Sequence, residues 1–131
     1  MRKAAVVKLS ADDLAWLWPG RTPEDCAAAV LAMGPWLVLL TEGAAGARAF
    51  HVGGSIDVPG AQVAVADTIG AGDTFNAGVL AGLAAAGALS HAGLAALGDA
   101  MLQGAVAQGV RAAAVCVSRP GADPPWAGEL A

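Results

Sequence analysis

The sequence predicts a layered α/β fold in which helices flank a mostly parallel sheet. Three observations carry that reading. Trp36–Leu40 is an unbroken apolar run between turn residues, the pattern of a strand covered on both faces, as in a parallel sheet. Helix-like and strand-like segments follow one another as helix, strand, hairpin, loop, helix, helix. The segment Asp67–Gly78 then joins an extended stretch to a helix through small residues.

Element by element, Val6–Leu9 is a short apolar run and a candidate strand. Ser10 follows as an N-cap with Asp13 three residues on, a capping box, and Leu14, Leu17 and Trp18 continue at helical spacing. Pro19-Gly20 stops that helix. Thr22-Pro23-Glu24-Asp25 opens another, with threonine as N-cap, proline at the first helical position and acids in the first turn; it runs to about Met33. After the Trp36–Leu40 strand, Thr41–Gly46 is a glycine turn. Ala47–Val52 and Ser55–Val58 pair as a hairpin through Gly53-Gly54. Gln62–Ala66 alternates weakly and is expected as a further strand. Thr74–Ala86 is expected as a helix with Phe75, Val79, Leu80 and Leu83 inward. Another helix runs from the cap Ser90 to about Gly109, with Leu94, Leu97, Met101 and Leu102 inward. Arg111–Val117 is apolar and fits either helix or strand, and Ser118–Pro125 is a turn. Trp16, Trp18 and Trp36 are read as core residues, and Lys8, His51 and His91 as surface or core residues.

Composition narrows the function classes. The chain has 131 residues, enough for one domain with one core. Hydrophobic residues make up 56% and charged residues 14%, too apolar for a disordered chain. The net charge of −4 and the scatter of Arg2, Lys3, Lys8, Arg21, Arg48, Arg111 and Arg119 leave no basic stripe for nucleic acid. Cys26 and Cys116 lie far apart in apolar surroundings without metal-ligand spacing, as buried thiols of a reducing cytoplasm do. No charged residue stands between Asp73 and Asp99, which formally allows a membrane hairpin. Asn76, Ser90, His91 and the turn at Gly87–Ser90 argue against a span, and MRKAAVVKLS has no signal-peptide pattern.

The chemistry concentrates in Asp67–Gly78, DTIGAGDTFNAG. Gly70, Ala71 and Gly72 stand where an extended segment meets a helix start. Small residues there leave backbone N–H groups unobstructed, and with the helix dipole they form an anion site suited to phosphate. Asp73 in the first turn would repel an anion there, so it either only caps the helix or has a job at the site. Asp67-Thr68 reads as an Asx turn. A P-loop is excluded because no GxxxxGK[ST] occurs, and Phe75 at the third glycine position breaks the dinucleotide fingerprint.

DTIGAGDTFNAG resembles the C-terminal signature of the ribokinase/PfkB family of sugar kinases, DTxGAGDxF. VVKLSADDL resembles the segment where fructokinase-like members carry an SxxE variant of NxxE. LLTEGAAGA resembles the family's TxGxxG nucleotide loop, and VCVSRPGADPP its final loop. The resemblance covers nearly all of residues 3–130. It implies a ribokinase-like layered fold, of which residues 1–131 are the C-terminal part of one domain with the N-terminal sugar-binding half absent.

By this resemblance Asp73 matches the catalytic base, and Gly70, Ala71 and Gly72 match the anion hole. Thr41, Gly43 and Gly46 match the loop beside ATP. Ser10 and Asp13 match the NxxE positions, which act on phosphate and on magnesium-bound water; both are substituted here, and a capping box explains them equally. Asp67 and the Ile69 carbonyl match potassium ligands, as do the carbonyls of Cys116, Arg119 and Gly121; Pro125 stands where some members place a hydroxyl ligand. The implied activity is ATP-dependent phosphoryl transfer to an alcohol group of a sugar, with Mg²⁺ and K⁺ as ions, in the cytoplasm. A homodimer or a separate N-terminal half would complete the acceptor site. The rivals are an inactive nucleotide-binding remnant and a small membrane hairpin.

Overall fold

The computed structural model describes residues 3–130. Four strands form one sheet in chain order: β1 (Val6–Ser10), β2 (Leu37–Thr41), β3 (Gly46–His51) and β4 (Gly54–Pro59). Between β1 and β2 lie helices α1 (Ala11–Leu17) and α2 (Pro23–Leu31). After β4 come α3 (Ala71–Ala85), α4 (His91–Ala96) and α5 (Asp99–Val117). Only β1 and β2 are parallel; β2–β3 and β3–β4 are antiparallel. The sheet is therefore mixed, a correction to the mostly parallel one expected. The reason is connection length. The crossover through α1 and α2 is long enough to return the chain in parallel, whereas the tight turns after Thr41 and His51 permit only antiparallel neighbours.

Period-two alternation builds two cores, one on each face of the sheet. Leu37, Leu39, Ala47, Ala49, Ile56 and Val58 face α3 and α5, while Leu9, Val38, Leu40 and Phe50 face α1 and α2. The caps read from the sequence are present. The Ser10 Oγ accepts from Asp13 N–H and the Asp13 carboxylate accepts from Ser10 N–H; Thr22 caps α2 through Asp25 N–H. Helices α3 and α5 touch backbone to backbone. A Cβ on Gly78 would stand 2.8 Å from the Gly109 Cα, and one on Gly82 2.7 Å from the Ala105 Cα. Glycine is used there for space, because any side chain would push the helices apart.

Several local expectations are corrected. Gln62–Ala66 is irregular, not a strand; the N–H groups of Ala66 and Asp67 donate to the Val117 carbonyl at 2.7 and 3.2 Å, so the end of α5 takes the place of a strand partner. Helix α3 begins at Ala71, three residues before Thr74. The helix expected from Ser90 to Gly109 is broken at Leu97-Gly98, and Arg111–Val117 is the last part of α5. Leu80 and Met101 are 48% and 54% exposed: the face of α3 toward α5 and the sheet is Phe75, Gly78, Val79 and Leu83, and Leu80 lies one step, about 100°, past Val79. Trp16 is 80% exposed and Trp36 38%; the single buried residue of seven-residue α1 is Leu14.

The charge-free stretch from Asp73 to Asp99 is divided among α3, a turn and α4, so no single helix spans it. Among the described residues α5 is the one helix long and apolar enough to cross a membrane by length and composition. Its face of Leu102, Ala105, Val106, Gly109 and Ala112 is buried within the fold. Cys26 and Cys116 are buried free thiols, as expected.

Candidate functional site

The parallel pairing of β1 with β2 sets Ser10 opposite Thr41 at the C-terminal end of both strands. There β2 gives way to a 3₁₀ turn, Gly43–Ala45, before β3 begins at Gly46. Gly46 has φ 112°, and a Cβ on it would collide with the Val58 carbonyl and stand 2.5 Å from the Gly60 nitrogen. Glycine there lets the turn pinch onto the end of β4, where Gly60 N–H donates to the Ala45 carbonyl at 3.0 Å.

This turn forms one wall of a cleft of about 730 Å³. Thr41, Gly43 and Gly46 line that wall; Ala71, Gly72 and Phe75 of α3 and Val110 and Val117 of α5 line the others, with Val63 and Val65. The size and the apolar lining suit a nucleotide-sized ligand. The N-cap of α3 is Gly70 with φ 78°, and no side chain caps the helix. Ala71 N–H donates to the Thr68 carbonyl at 3.3 Å, which leaves the Gly72 and Asp73 amides to an anion, and the helix dipole adds to their pull.

Lys8 stands over this helix start. Its Nζ lies 3.1 Å from where a Cβ on Gly72 would be. A cation beside the positive end of a helix dipole is unfavourable alone and favourable once an anion sits between them. Lys8 reads in the sequence as a surface or core residue, yet its period is a usable signal. Val6 packs with the α3–α5 core, so Lys8, two residues on, shares that face. The apolar cleft residues Val63 and Val65 were also missed, because the segment that carries them is irregular.

Asp73, directly after Gly72, is solvent-exposed in the first turn of α3. Ser10 and Asp13 are occupied with each other in the capping box. Asp13 is held below the ordinary carboxyl range, first by the hydrogen bond from Ser10 N–H. Of the residues singled out in the sequence, Thr41, Gly43, Gly46, Ala71 and Gly72 line the cleft; Ser10, Asp13, Gly70 and Asp73 do not.

Asp67 clasps two loops. Its Oδ1 accepts from Ile69 N–H and its Oδ2 from Gly121 N–H, both at 3.0 Å. These bonds, that from Ile69 first, hold its carboxyl below the usual value. The first is the Asx turn; the second ties the turn before Gly70 to the loop after α5. The Ile69 carbonyl accepts only a weak thiol bond from buried Cys116, at 3.7 Å. The Cys116 carbonyl accepts from Arg119 N–H and that of Gly121 from Asp123 N–H. A carboxylate and neighbouring carbonyls form an all-oxygen donor set, which fits a hard cation such as potassium. Among the described residues no three His, Cys, Asp or Glu side chains cluster as a metal site. A magnesium ion held largely by phosphates and one or two carboxylates is compatible with that arrangement.

Comparison with known proteins places this geometry in a family. The family model described as pfkB family carbohydrate kinase matches residues 1–127. A fructokinase from Rhizobium leguminosarum bv. trifolii is 43% identical over 81 residues, which cover 62% of this chain and 25% of that protein. A fructokinase from Klebsiella pneumoniae is 39% identical over 88 residues, covering 64% of this chain and 28% of the relative. The chain thus spans about a quarter of the length of these relatives. Among solved structures, aminoimidazole riboside kinase from Salmonella enterica, complexed with aminoimidazole riboside and an ATP analog, superposes with a TM-score of 0.81 at 29% identity. The match covers 97% of this chain and 41% of the kinase. A fructokinase double mutant from Vibrio cholerae O395, bound to fructose, ADP and potassium ion, gives 0.76 at 28% identity over 91% of this chain and 36% of its own. With the α3 start, the glycine turn and the Asp67 clasp all inside the matched residues, the chain belongs to the pfkB family of carbohydrate kinases.

Proposed function

We propose that this chain is the nucleotide-binding and phosphoryl-transfer part of an ATP-dependent carbohydrate kinase acting in the cytoplasm on an alcohol group of a sugar, fructokinase- or ribokinase-like. The observation that carries the proposal is the uncapped start of α3 in the cleft wall, with Lys8 over Gly72 and Asp73 next in the chain. Residues 1–131 are the C-terminal part of one kinase domain. The sugar-binding residues belong to the portion of the fold outside the match, supplied by further chain or by a separate half.

When bound, ATP with magnesium supplies the phosphoryl group and offsets its charge. The chain's own groups do the rest. The amides of Gly70 and Gly72 at the start of α3 and the Lys8 ammonium hold phosphate oxygens, while Ala71 N–H fixes the turn through the Thr68 carbonyl. Thr41, Gly43 and Gly46 shape the wall beside the nucleotide. Asp73 receives the proton of the acceptor hydroxyl. Asp67 keeps the turn before Gly70 in place; a potassium ion would be held by Asp67 and the carbonyls of Ile69, Cys116, Arg119 and Gly121, and its charge would help order the anion site. Ser10 and Asp13 act through the end of β1, which their capping box fixes.

A second reading, a nucleotide-binding remnant without turnover, draws support from Ser10 and Asp13, which bond each other in a capping box and do not line the cleft. A coupled phosphorylation assay over ketoses, aldoses and nucleosides separates the two. The chain joined to the missing portion of a family relative should phosphorylate a sugar, and the chain alone should not, because an acceptor must be held within ~3–3.5 Å of the phosphoryl group. Failure of the completed protein on every acceptor would favour the remnant.

A further inference from the structure

Arg48 has no part in the chemistry above, yet it ties β3 to α2 and to the turn after β2. It lies on β3, opposite Leu40 of β2, and its side chain is 20% exposed. One guanidinium nitrogen bonds Glu24 of α2 at 2.6 Å and another bonds Glu42 at 3.1 Å. Its guanidinium carbon also stands 5.2 Å from the Phe50 ring centre, within cation–π range. The Nε is buried without a partner, so the two carboxylates are what balance the charge.

Glu42 sits between Thr41 and Gly43, both of which line the cleft. Its N–H donates to the Gly46 carbonyl at 2.8 Å, and its carbonyl accepts from Ala45 N–H at 3.1 Å. Glu42 therefore closes the turn on itself through its backbone and anchors it to the sheet through its side chain. Released from Arg48, the turn keeps its backbone bonds, within itself and from Gly60, but loses its side-chain anchor to the sheet, and ordering the loosened turn would then cost affinity at each binding event.

We infer that Arg48 is a positioning residue, which pre-organises the nucleotide-binding turn Thr41–Gly46 by holding Glu42 on the α2 side of the sheet. The inference rests on the nucleotide reading of the cleft. Arg48 does not line the cleft; it acts through Glu42.

The test is a double-mutant cycle in nucleotide affinity, measured on the full 131-residue chain by titration calorimetry with ATP and magnesium. Arg48→Met and Glu42→Met should each weaken binding about five- to tenfold, and the double variant should be no weaker than either single. Glu24→Met removes the guanidinium's other partner, which does not touch the turn, and should stay within about twofold. Glu42→Met keeps side-chain length and removes the acceptor, so it reports even if Arg48→Met folds poorly. Wild-type affinity in Glu42→Met, or additive losses in the double variant, would overturn the positioning role and leave the nucleotide reading standing. No ATP binding by the unsubstituted chain would overturn both.

Discussion

Two glycines five residues apart in α5 should respond to alanine in opposite directions. A Cβ on Gly109 would stand 2.5 Å from Val79 Cγ2, 2.8 Å from the Phe75 carbonyl oxygen and 3.1 Å from Phe75 Cδ2. Two of these atoms belong to side chains buried to 1–2% exposure, and the third is helix backbone, so none can yield without moving α3. Overpacking of this kind costs typically 1–3 kcal/mol. Alanine's better helix propensity returns about 1 kcal/mol. The net effect of Gly109→Ala is destabilisation of about 1 kcal/mol. Gly104, in the same helix, is exposed and has nothing within 4 Å of a Cβ. Gly104→Ala keeps only the propensity gain and should stabilise by about 1 kcal/mol. At roughly 4 °C per kcal/mol for a chain of this length, the two melting midpoints should differ by about 8 °C, read by circular dichroism. Gly109→Ala melting at or above wild type would refute the close α3–α5 packing that sets the position of Gly70–Asp73.

Three further outcomes follow from the site. In the completed kinase, Asp73→Asn should lower kcat by roughly 10²–10⁴ while nucleotide affinity stays within a few-fold, read by steady-state kinetics; a near-wild-type kcat would leave Asp73 as a capping acid only. Replacing sodium by potassium should raise activity, and Asp67→Ala should abolish that response. Lys8→Met should weaken ATP binding to the chain about tenfold, on the scale of one charge-assisted hydrogen bond, and leave adenosine binding unchanged; equal losses for both ligands would show that Lys8 does not meet phosphate.

How much of this was legible in the sequence depended on whether the signal was local. The caps at Ser10 and Thr22, the covered strand β2 and the Gly53-Gly54 hairpin are set by neighbours within four residues, and each appeared as read. The errors lie where partners are distant in sequence. Gln62–Ala66 looked like a strand, but its end bonds to Val117, some fifty residues on, which no short window reveals. The sheet's direction of pairing depends on connection lengths, not on the apolar run that suggested a parallel strand. Within the site, the glycine turn and the Gly70–Gly72 start stood out because their residue types are restricted by backbone shape. Lys8 and Arg48 looked like ordinary charged residues. Their roles come from what the fold brings beside them, Gly72 in one case and Glu24 with Glu42 in the other.

The central claim is that the cleft between the Thr41–Gly46 turn and the start of α3 takes a nucleotide by its phosphates. Calorimetric titration of the 131-residue chain with ATP and magnesium tests it most directly. Weak, saturable, one-to-one binding is predicted, displaced by ADP, weakening as salt is raised and much weaker for adenosine, since amides and an ammonium at a helix start favour charge. No saturable binding, or equal affinity for ATP and adenosine, would contradict it.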